Sequence, residues 1–181
     1  MTIIIETRRL ILRPLRASDL DTLTAALNNF NVSRNTAHIP FPYRRADAED
    51  FLAATRKPAP GTLRLSITRK DGGDLVCGGI GYETGDNVEL GFWLAETEWG
   101  KGFGSEAAQA VTDHALEVAG RERLAASYRI GNEASRRILE RLGFQPTGEK
   151  LAFSKSAGAE VPVMHMELTR AAWIDAKGRR P

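Results

Sequence analysis

Three glycines fall within five residues, at Gly100, Gly102 and Gly104, and they separate two stretches of different period. Before them, "VELGFWL" sets Leu90, Phe92 and Leu94 on one face of a strand and Glu89, Gly91 and Trp93 on the other. After them, Ala107, Ala110, Val111, Ala115 and Val118 recur at helical spacing, so a helix is expected from about Gly104 to Ala119. A helix start exposes unpaired N–H groups and carries about half a positive charge. Glycines in front of it let successive N–H groups share one concavity. "GKGFG" is therefore either a tight strand-to-helix turn or a cradle for an anion such as phosphate. Its spacing fits neither the nucleotide-triphosphate loop nor the dinucleotide fingerprint.

The flanking segments narrow the fold further. "LRLSITR" alternates Leu63, Leu65 and Ile67 with polar residues, and "LVCGGIGYE" is a second strand whose glycines signal a bulge or a close neighbour. Turn signals at Asp71–Asp74 and Thr84–Asn87 join these strands to "VELGFWL" as an antiparallel meander. After the long helix, Arg123–Tyr128 reads as a strand, which implies a right-handed parallel crossover. "NEASRRILERLGF" is a helix capped by Asn132 and stopped by Gly143. Pro146–Phe153 and Val161–Leu168 read as two closing strands, followed by a short basic tail. Near the start, Arg9–Leu15 is an early strand. A helix follows, with Ser18 as N-cap and Leu20, Leu23, Ala26 and Leu27 on one face. "DAEDFLAAT" is another short helix, and Asn28–Tyr43 between them is an irregular connection or a helix–loop, the kind of segment in which function often lives. The expected class is α/β with a mixed sheet, in a single domain spanning residues 1–181.

Charge and cysteine content exclude several functions. The 25 basic residues nearly balance 23 acidic ones, so the net charge of +2 does not by itself point to nucleic acid or a membrane surface. Basic clusters at Arg8–Arg9, Arg44–Arg45, Arg136–Arg137 and Lys177–Arg180 read as solvated surface. Cys77 is the sole cysteine, which rules out an intrachain disulfide framework or a cysteine metal site. The opening "MTIIIETRRLILRP" is too short in apolar length for a signal peptide or a span, so cytoplasmic residence is expected. His38, His114 and His165 lack metal-ligand spacing, and no metal is expected.

"ELGFWLAETEWGKGFGSEAAQAV" followed by "NEASRRILERLGF" resembles the GNAT acetyltransferase superfamily. The opening "TRRLILRPLRASDLDTL" and the Trp-Gly-Lys-Gly form resemble its RimJ/RimL-like branch, which includes ribosomal-protein N-terminal acetyltransferases. The likeness covers nearly the whole chain. It implies acetyl-coenzyme A as donor and a sheet splayed open between the third meander strand and the strand at Arg123–Tyr128. It also implies a pyrophosphate cradle over Trp99, Gly100, Lys101, Gly102, Phe103, Gly104 and Ser105, and a pantetheine arm along Phe92, Trp93 and Leu94. The superfamily loop, Gln/Arg-x-x-Gly-x-Gly/Ala, is matched at Gly102 and Gly104, with Trp99 in the Gln/Arg place. Asn132 resembles the coenzyme-contacting asparagine, while Lys101 and Arg137 are candidate phosphate partners or simply solvated charges.

Acetyl transfer to an amine needs a base, oxyanion donors and an acid for the departing thiolate. Glu89 resembles the superfamily's general base, or is simply a surface carboxylate at a strand end; Glu106 is a rival, although a first-turn carboxylate also simply complements the helix dipole. Branch members can instead use a carboxylate beyond Gly143-Phe144, where this chain has Glu149 and Glu160 with Ser154 between. Many members carry a tyrosine acid in the second helix where this chain has Leu139. Ser135 is the alternative acid, facing inward with Ile138, Leu139 and Leu142, unless its hydroxyl bonds back to its own helix. Cys77 lies in the wrong strand for a ping-pong nucleophile, and His114 reads as a core-edge residue. The acceptor is left open between a protein N-terminus, as of a ribosomal protein, and a small amine such as a polyamine, an amino acid or an aminoglycoside; "HIPFPYRR" and Ser154–Glu160 are expected to frame its pocket, and a monomer or homodimer is expected. A non-catalytic coenzyme A sensor and a binding module for another phosphorylated ligand are the competing functions.

Overall fold

Alternation on the meander strands puts Leu63, Leu65 and Ile67 on one face, yet Ser66 and Thr68 on the other are buried too, because helices cover both faces of the sheet. The computed structural model describes residues 2–83 and 88–178. Its strands are β1 (Ile5–Glu6), β2 (Leu10–Arg13), β3 (Leu63–Arg69), β4 (Val76–Glu83), β5 (Glu89–Leu94), β6 (Arg123–Arg129), β7 (Gln145–Ser154) and β8 (Ala159–Thr169). They form one eight-stranded sheet in the order β1-β2-β3-β4-β5-β6-β8-β7. Neighbours pair antiparallel except β5 and β6, which run parallel. The expected turn at Thr84–Asn87 and the end of the basic cluster, Arg179 and Arg180, lie outside the described residues.

The single parallel junction is also the weakest. β5 and β6 pair only at Glu89 with Ala125 and Leu90 with Ala126, and beyond Leu90 the strands part. On its other side β5 stays paired to β4 along its full length, from Glu89 to Leu94. The splay expected of the sheet is present, and it exposes one edge of β5 from Gly91 onward.

The helices are α1 (Leu20–Leu27), α2 (Phe30–Ser33), α3 (Arg45–Arg56), α4 (Phe103–Asp113), α5 (Glu133–Leu142) and α6 (Arg170–Gly178). The larger core packs α4, α5 and α6 against the sheet through Ala107, Val111, Leu139, Leu142 and Trp173. The smaller core joins α1, α2 and α3 through Leu23, Leu27, Val32 and Leu52. The alternation in β5 distributes its side chains between the two cores. Leu90, Phe92 and Leu94 go to the larger, and Trp93 goes to the smaller. The Trp93 indole lies across Gly79 of β4, where an added Cβ would sit 2.4 Å from Nε1; this is the close neighbour that the β4 glycines signalled.

Four local expectations need correction. Val118 does not continue the buried face of α4, being 74% exposed. The helix widens into a π-turn over His114–Val118, which rotates later residues off the apolar stripe. Ser18 makes no capping bond; a 3₁₀ turn over Ala17–Asp19 precedes α1, and Asp19 accepts from the Arg16 N–H instead. Asp19 can do this because Arg13, itself buried, holds its carboxylate at 2.8 and 3.0 Å. The short tail is the helix α6, anchored by Trp173, which is buried and donates to Asp113 at 2.6 Å. The early strand is shorter than Arg9–Leu15, covering Leu10–Arg13, and it pairs with β1, a strand too brief to leave a period in the sequence.

Candidate active site

The loop between β5 and α4 turns its donors in two directions. A 3₁₀ turn over Glu96–Glu98 follows β5, and the two Trp99 donors reach back to the turn and to the end of β5. The Trp99 main-chain N–H reaches Glu96 O at 3.2 Å, and its indole Nε1 reaches Leu94 O at 2.9 Å. Trp99 thus closes the turn. Gly100 and Gly102 then take φ values of +75° and +80°, which reverse the chain into the helix. The next main-chain N–H with an acceptor belongs to Glu106, which donates to Gly102 O. Among the described residues, the N–H groups of Gly100 to Ser105 have no acceptor. This is a row of free donors at the positive end of an 11-residue helix.

Side chains brace the loop from behind. Arg9 donates from Nη1 to Lys101 O at 2.9 Å and from Nε to Glu106 at 2.7 Å, and its guanidinium lies 4.6 Å from the Phe103 ring centre. Glu106 also accepts from the Thr7 hydroxyl at 2.6 Å and from the Arg9 main-chain N–H at 2.8 Å. Burial pushes the Glu106 carboxyl up, but these hydrogen bonds and the Arg9 charge outweigh it and hold it below the ordinary glutamate value. Glu106 is therefore a clamp between the β1–β2 corner and α4, with its acceptor sites occupied. Lys101 pairs with Glu98 at 3.2 Å, an acid that Arg69 also reaches. Arg137 is exposed and has no polar partner among the described residues.

A cavity of about 150 Å³ opens where β5 leaves β6. Phe92, Trp93, Leu94, Trp99 and Gly104 line one side and Asn132, Ser135 and Ile138 the other. Seven positions singled out from the sequence, drawn from β5, the glycine loop and α5, thus meet at one place. Asn132 caps α5 by accepting from the Ser135 N–H at 3.2 Å. This bond fixes the orientation of its amide, so the Nδ2 group is left to donate to Ser135 Oγ at 3.0 Å. The hydroxyl oxygen is used as an acceptor, and its own proton has no acceptor among the described residues. It does not bond back to its helix.

Glu89 lies elsewhere. It is exposed at the start of β5, where the strands begin to part, and lines neither cavity. It has no hydrogen-bond or ion-pair partner among the described residues, whereas the carboxylates nearer the cleft are all engaged. Glu96 accepts from Asn29 and Asn31, Glu98 from Arg69 and Lys101, and Glu133 from Arg136. Glu149 and Glu160 are exposed on the β7–β8 hairpin, and Ser154 is buried and bonded to Ser156. His114 lies against Tyr82, at 3.3 Å from its hydroxyl, and burial lowers its pKa; His165 pairs with Ser127, and His38 is exposed. Cys77 is buried, its thiol reaches Ile67 O, and burial pushes its pKa up to about 11.

The third wall was not legible in the sequence. Val32, Asn35 and Thr36 complete the smaller cavity. Asn31, Arg34 and Asn35 face Arg129 and Ile130 across a second cavity of about 400 Å³. These residues come from α2 and its exit, just before the "HIPFPYRR" segment expected to frame a pocket, which lines neither cavity. The β7–β8 turn supports this wall through Lys155 N–H to Ala37 O and Ser156 Oγ to Ser33 O. The sequence offered only a polar stretch of no clear period, readable as a helix–loop but without a named site residue; in the structure it holds α2 and is tied down by Asn29 and Asn31 to Glu96.

A splayed mixed sheet with a free-amide loop at the mouth of the cleft defines an acyltransferase architecture, and the chain belongs to the GNAT acetyltransferases. The family model for the acetyltransferase (GNAT) domain matches residues 9–145. The uncharacterized N-acetyltransferase YoaA of Bacillus subtilis (strain 168) is 30% identical over 151 residues, which cover 80% of this chain and 84% of that one. The uncharacterized N-acetyltransferase p20 of Bacillus licheniformis is 28% identical over 170 residues, 91% of this chain and 94% of that one. The ribosomal-protein-S5-alanine acetyltransferase of Vibrio fischeri has the same fold, with a TM-score of 0.79 at 18% identity, over 94% of this chain and 98% of that one. Among the described residues no helix is long and apolar enough to cross a membrane, and no cluster of side chains is arranged to hold a metal ion.

Proposed function

We propose that the protein moves the acetyl group of acetyl-coenzyme A directly onto a primary amine, as a RimJ/RimL-like member of its family. The observation that carries the reading is the row of main-chain donors from Gly100 to Ser105, left without acceptors beside the cleft. A pyrophosphate is the ligand such a row suits, since dipole and N–H groups both favour an anion. Lys101, once released from Glu98, and Arg137, exposed on α5, are the candidate phosphate partners, and Asn132 borders the path inward. The amide-rich pantetheine arm pairs with the edge of β5 at Phe92–Leu94, which β6 has vacated.

The chemistry follows from the same surfaces. The amine nitrogen attacks the thioester carbon, the carbon–sulfur bond breaks, and the amine loses a proton. Main-chain N–H groups on the free edge of β5 stabilise the developing oxyanion. The Ser135 hydroxyl, with its oxygen held by Asn132, gives a proton to the departing thiolate. Glu89, unpaired at the point of divergence, accepts the amine proton through water. Its place outside both cavities favours one alternative, a coenzyme A sensor without turnover.

A thermal shift with acetyl-coenzyme A at 100 times its dissociation constant is expected to add about 2.7 kcal/mol of stability. Coenzyme A thiol should then appear when a panel of primary amines is supplied. Stabilisation without thiol release supports the sensor, and no stabilisation overturns the donor itself.

A further inference from the structure

The larger cavity has a charge character that the transfer reaction does not require. Two arginines line it, Arg34 and Arg129, and neither has an ion-pair partner among the described residues. Arg129 Nη1 donates to Arg34 O at 2.9 Å, which fixes one arginine against the backbone of the other. The Arg34 guanidinium donates to no group among the described residues and lies 5.8 Å from the Phe30 ring centre. Glu133 is the sole acid in the lining, and it is already bound by Arg136 through two hydrogen bonds, at 2.8 and 2.6 Å. The wall of a cavity of about 400 Å³ is thus positive, and its charge is not neutralised from within.

The place of this cavity decides what it serves. It meets the smaller cavity at Asn35, Trp99, Asn132 and Ala134, next to the Ser135 hydroxyl. Of the glycine loop it touches only Trp99, whose N–H groups are already bonded to Glu96 O and Leu94 O. The donors suited to the pyrophosphate therefore lie outside it, and the space is left to the other substrate. Resting on the transferase reading, we infer that the acceptor is a primary amine carrying a carboxylate a few bonds away, held by Arg34 and Arg129. Guanidinium groups recognise carboxylates by paired, charge-assisted hydrogen bonds, and the Arg34 guanidinium has all its donors available for them. Such an amine is found in a free amino acid or at a peptide N-terminus followed by an acidic residue.

Matched acceptors test this. L-Methionine is compared with L-methionine amide, and the C-terminally amidated peptide Ser-Asp-Ala with its Ser-Asn-Ala counterpart, by thiol release with the wild-type protein and with Arg34→Gln and Arg34→Lys. The quantity read is the ratio of kcat/KM for the acid over its amide. Amine basicity differs within each pair, but it cancels when the ratio is compared between wild type and variant. The ratio is expected to fall at least tenfold in Arg34→Gln and to recover in part in Arg34→Lys, with the dissociation constant of acetyl-coenzyme A unmoved. A loss in the methionine pair points to a free amino acid, and a loss in the peptide pair to an acidic N-terminus. An unchanged ratio in both pairs, with amines still acetylated, overturns the carboxylate and leaves the transferase intact. Weaker acetyl-coenzyme A binding in Arg34→Gln assigns the arginines to the donor and overturns the inference. No thiol from any acceptor, with acetyl-coenzyme A bound, is the failure of the transferase reading itself.

Discussion

Glu89 and Glu106 are both carboxylates near the glycine loop, and their surroundings separate them. Glu106 is nearly enclosed, with a side chain 16% exposed, and is bound by Thr7 and Arg9. Because its carboxyl is held below the ordinary value, it contributes stability above the unfolded value of 4.5 and loses that contribution as pH falls through the folded one. Glu106→Gln should cost about 1–3 kcal/mol at neutral pH. In urea titrations the difference from wild type should shrink below about pH 4.5, as the unfolded carboxyl protonates. A difference independent of pH would mean that its charge is not what holds the corner. Glu89 has no such partner, so Glu89→Gln is expected to leave stability within about 0.5 kcal/mol. Turnover should fall by about 10²- to 10⁴-fold, most at low pH, where fewer amines are already neutral. Equal rates across pH would remove it from the mechanism. Cys77, with its thiol pushed up to about 11, should resist iodoacetamide in the native protein at pH 8, and activity should survive the treatment.

Among the elements, the glycine loop and α5 carry the site, and each offers a distinct perturbation. Gly102 has φ of +80°, and an added Cβ would lie 3.3 Å from Arg9 Nη2. Gly102→Ala should therefore destabilise by about 1–2 kcal/mol through backbone strain and disturb the row of amides. Gly104 is different. It is helical, and a Cβ there would meet only the flexible ends of Ile138 and Leu94, at 3.2 and 3.4 Å. Gly104→Val should fold but fill the cavity of about 150 Å³, so the thermal shift with acetyl-coenzyme A should be largely lost. A full shift in a folded Gly104→Val would place the donor elsewhere. Most elements were legible in the sequence because each has its own period or stop signal. The meander strands alternate, α5 begins at Asn132 and ends at Gly143, and β3 spans Leu63–Arg69 as its pattern indicates. The exceptions are elements shaped by their neighbours. α6 has one buried aromatic in place of a stripe, and the π-turn after α4 leaves no mark in the spacing of apolar residues.

For the whole molecule, the decisive feature is the parting of β5 from β6 after Leu90. A continuous sheet would satisfy the edge of β5 and close the space between the glycine loop and α5. Splaying leaves that edge open and lets two cores, one on each face, meet across a gap. The amino-acid sequence by itself determined the alternation of the meander, the glycine-to-helix junction and the caps of α5, since these depend on residues close together in the chain. It also brought into view the cleft positions from Phe92 to Leu94, Trp99, Gly104, Asn132 and Ser135. Only the tertiary structure decided that Glu106 is a clamp, that Trp99 closes its own turn, and that Arg34 and Arg129 face one cavity. Arg9 and Glu106 are 97 residues apart, and the Arg129–Arg34 bond spans 95. Contacts of that range depend on how helices and sheet pack, so no local period records them.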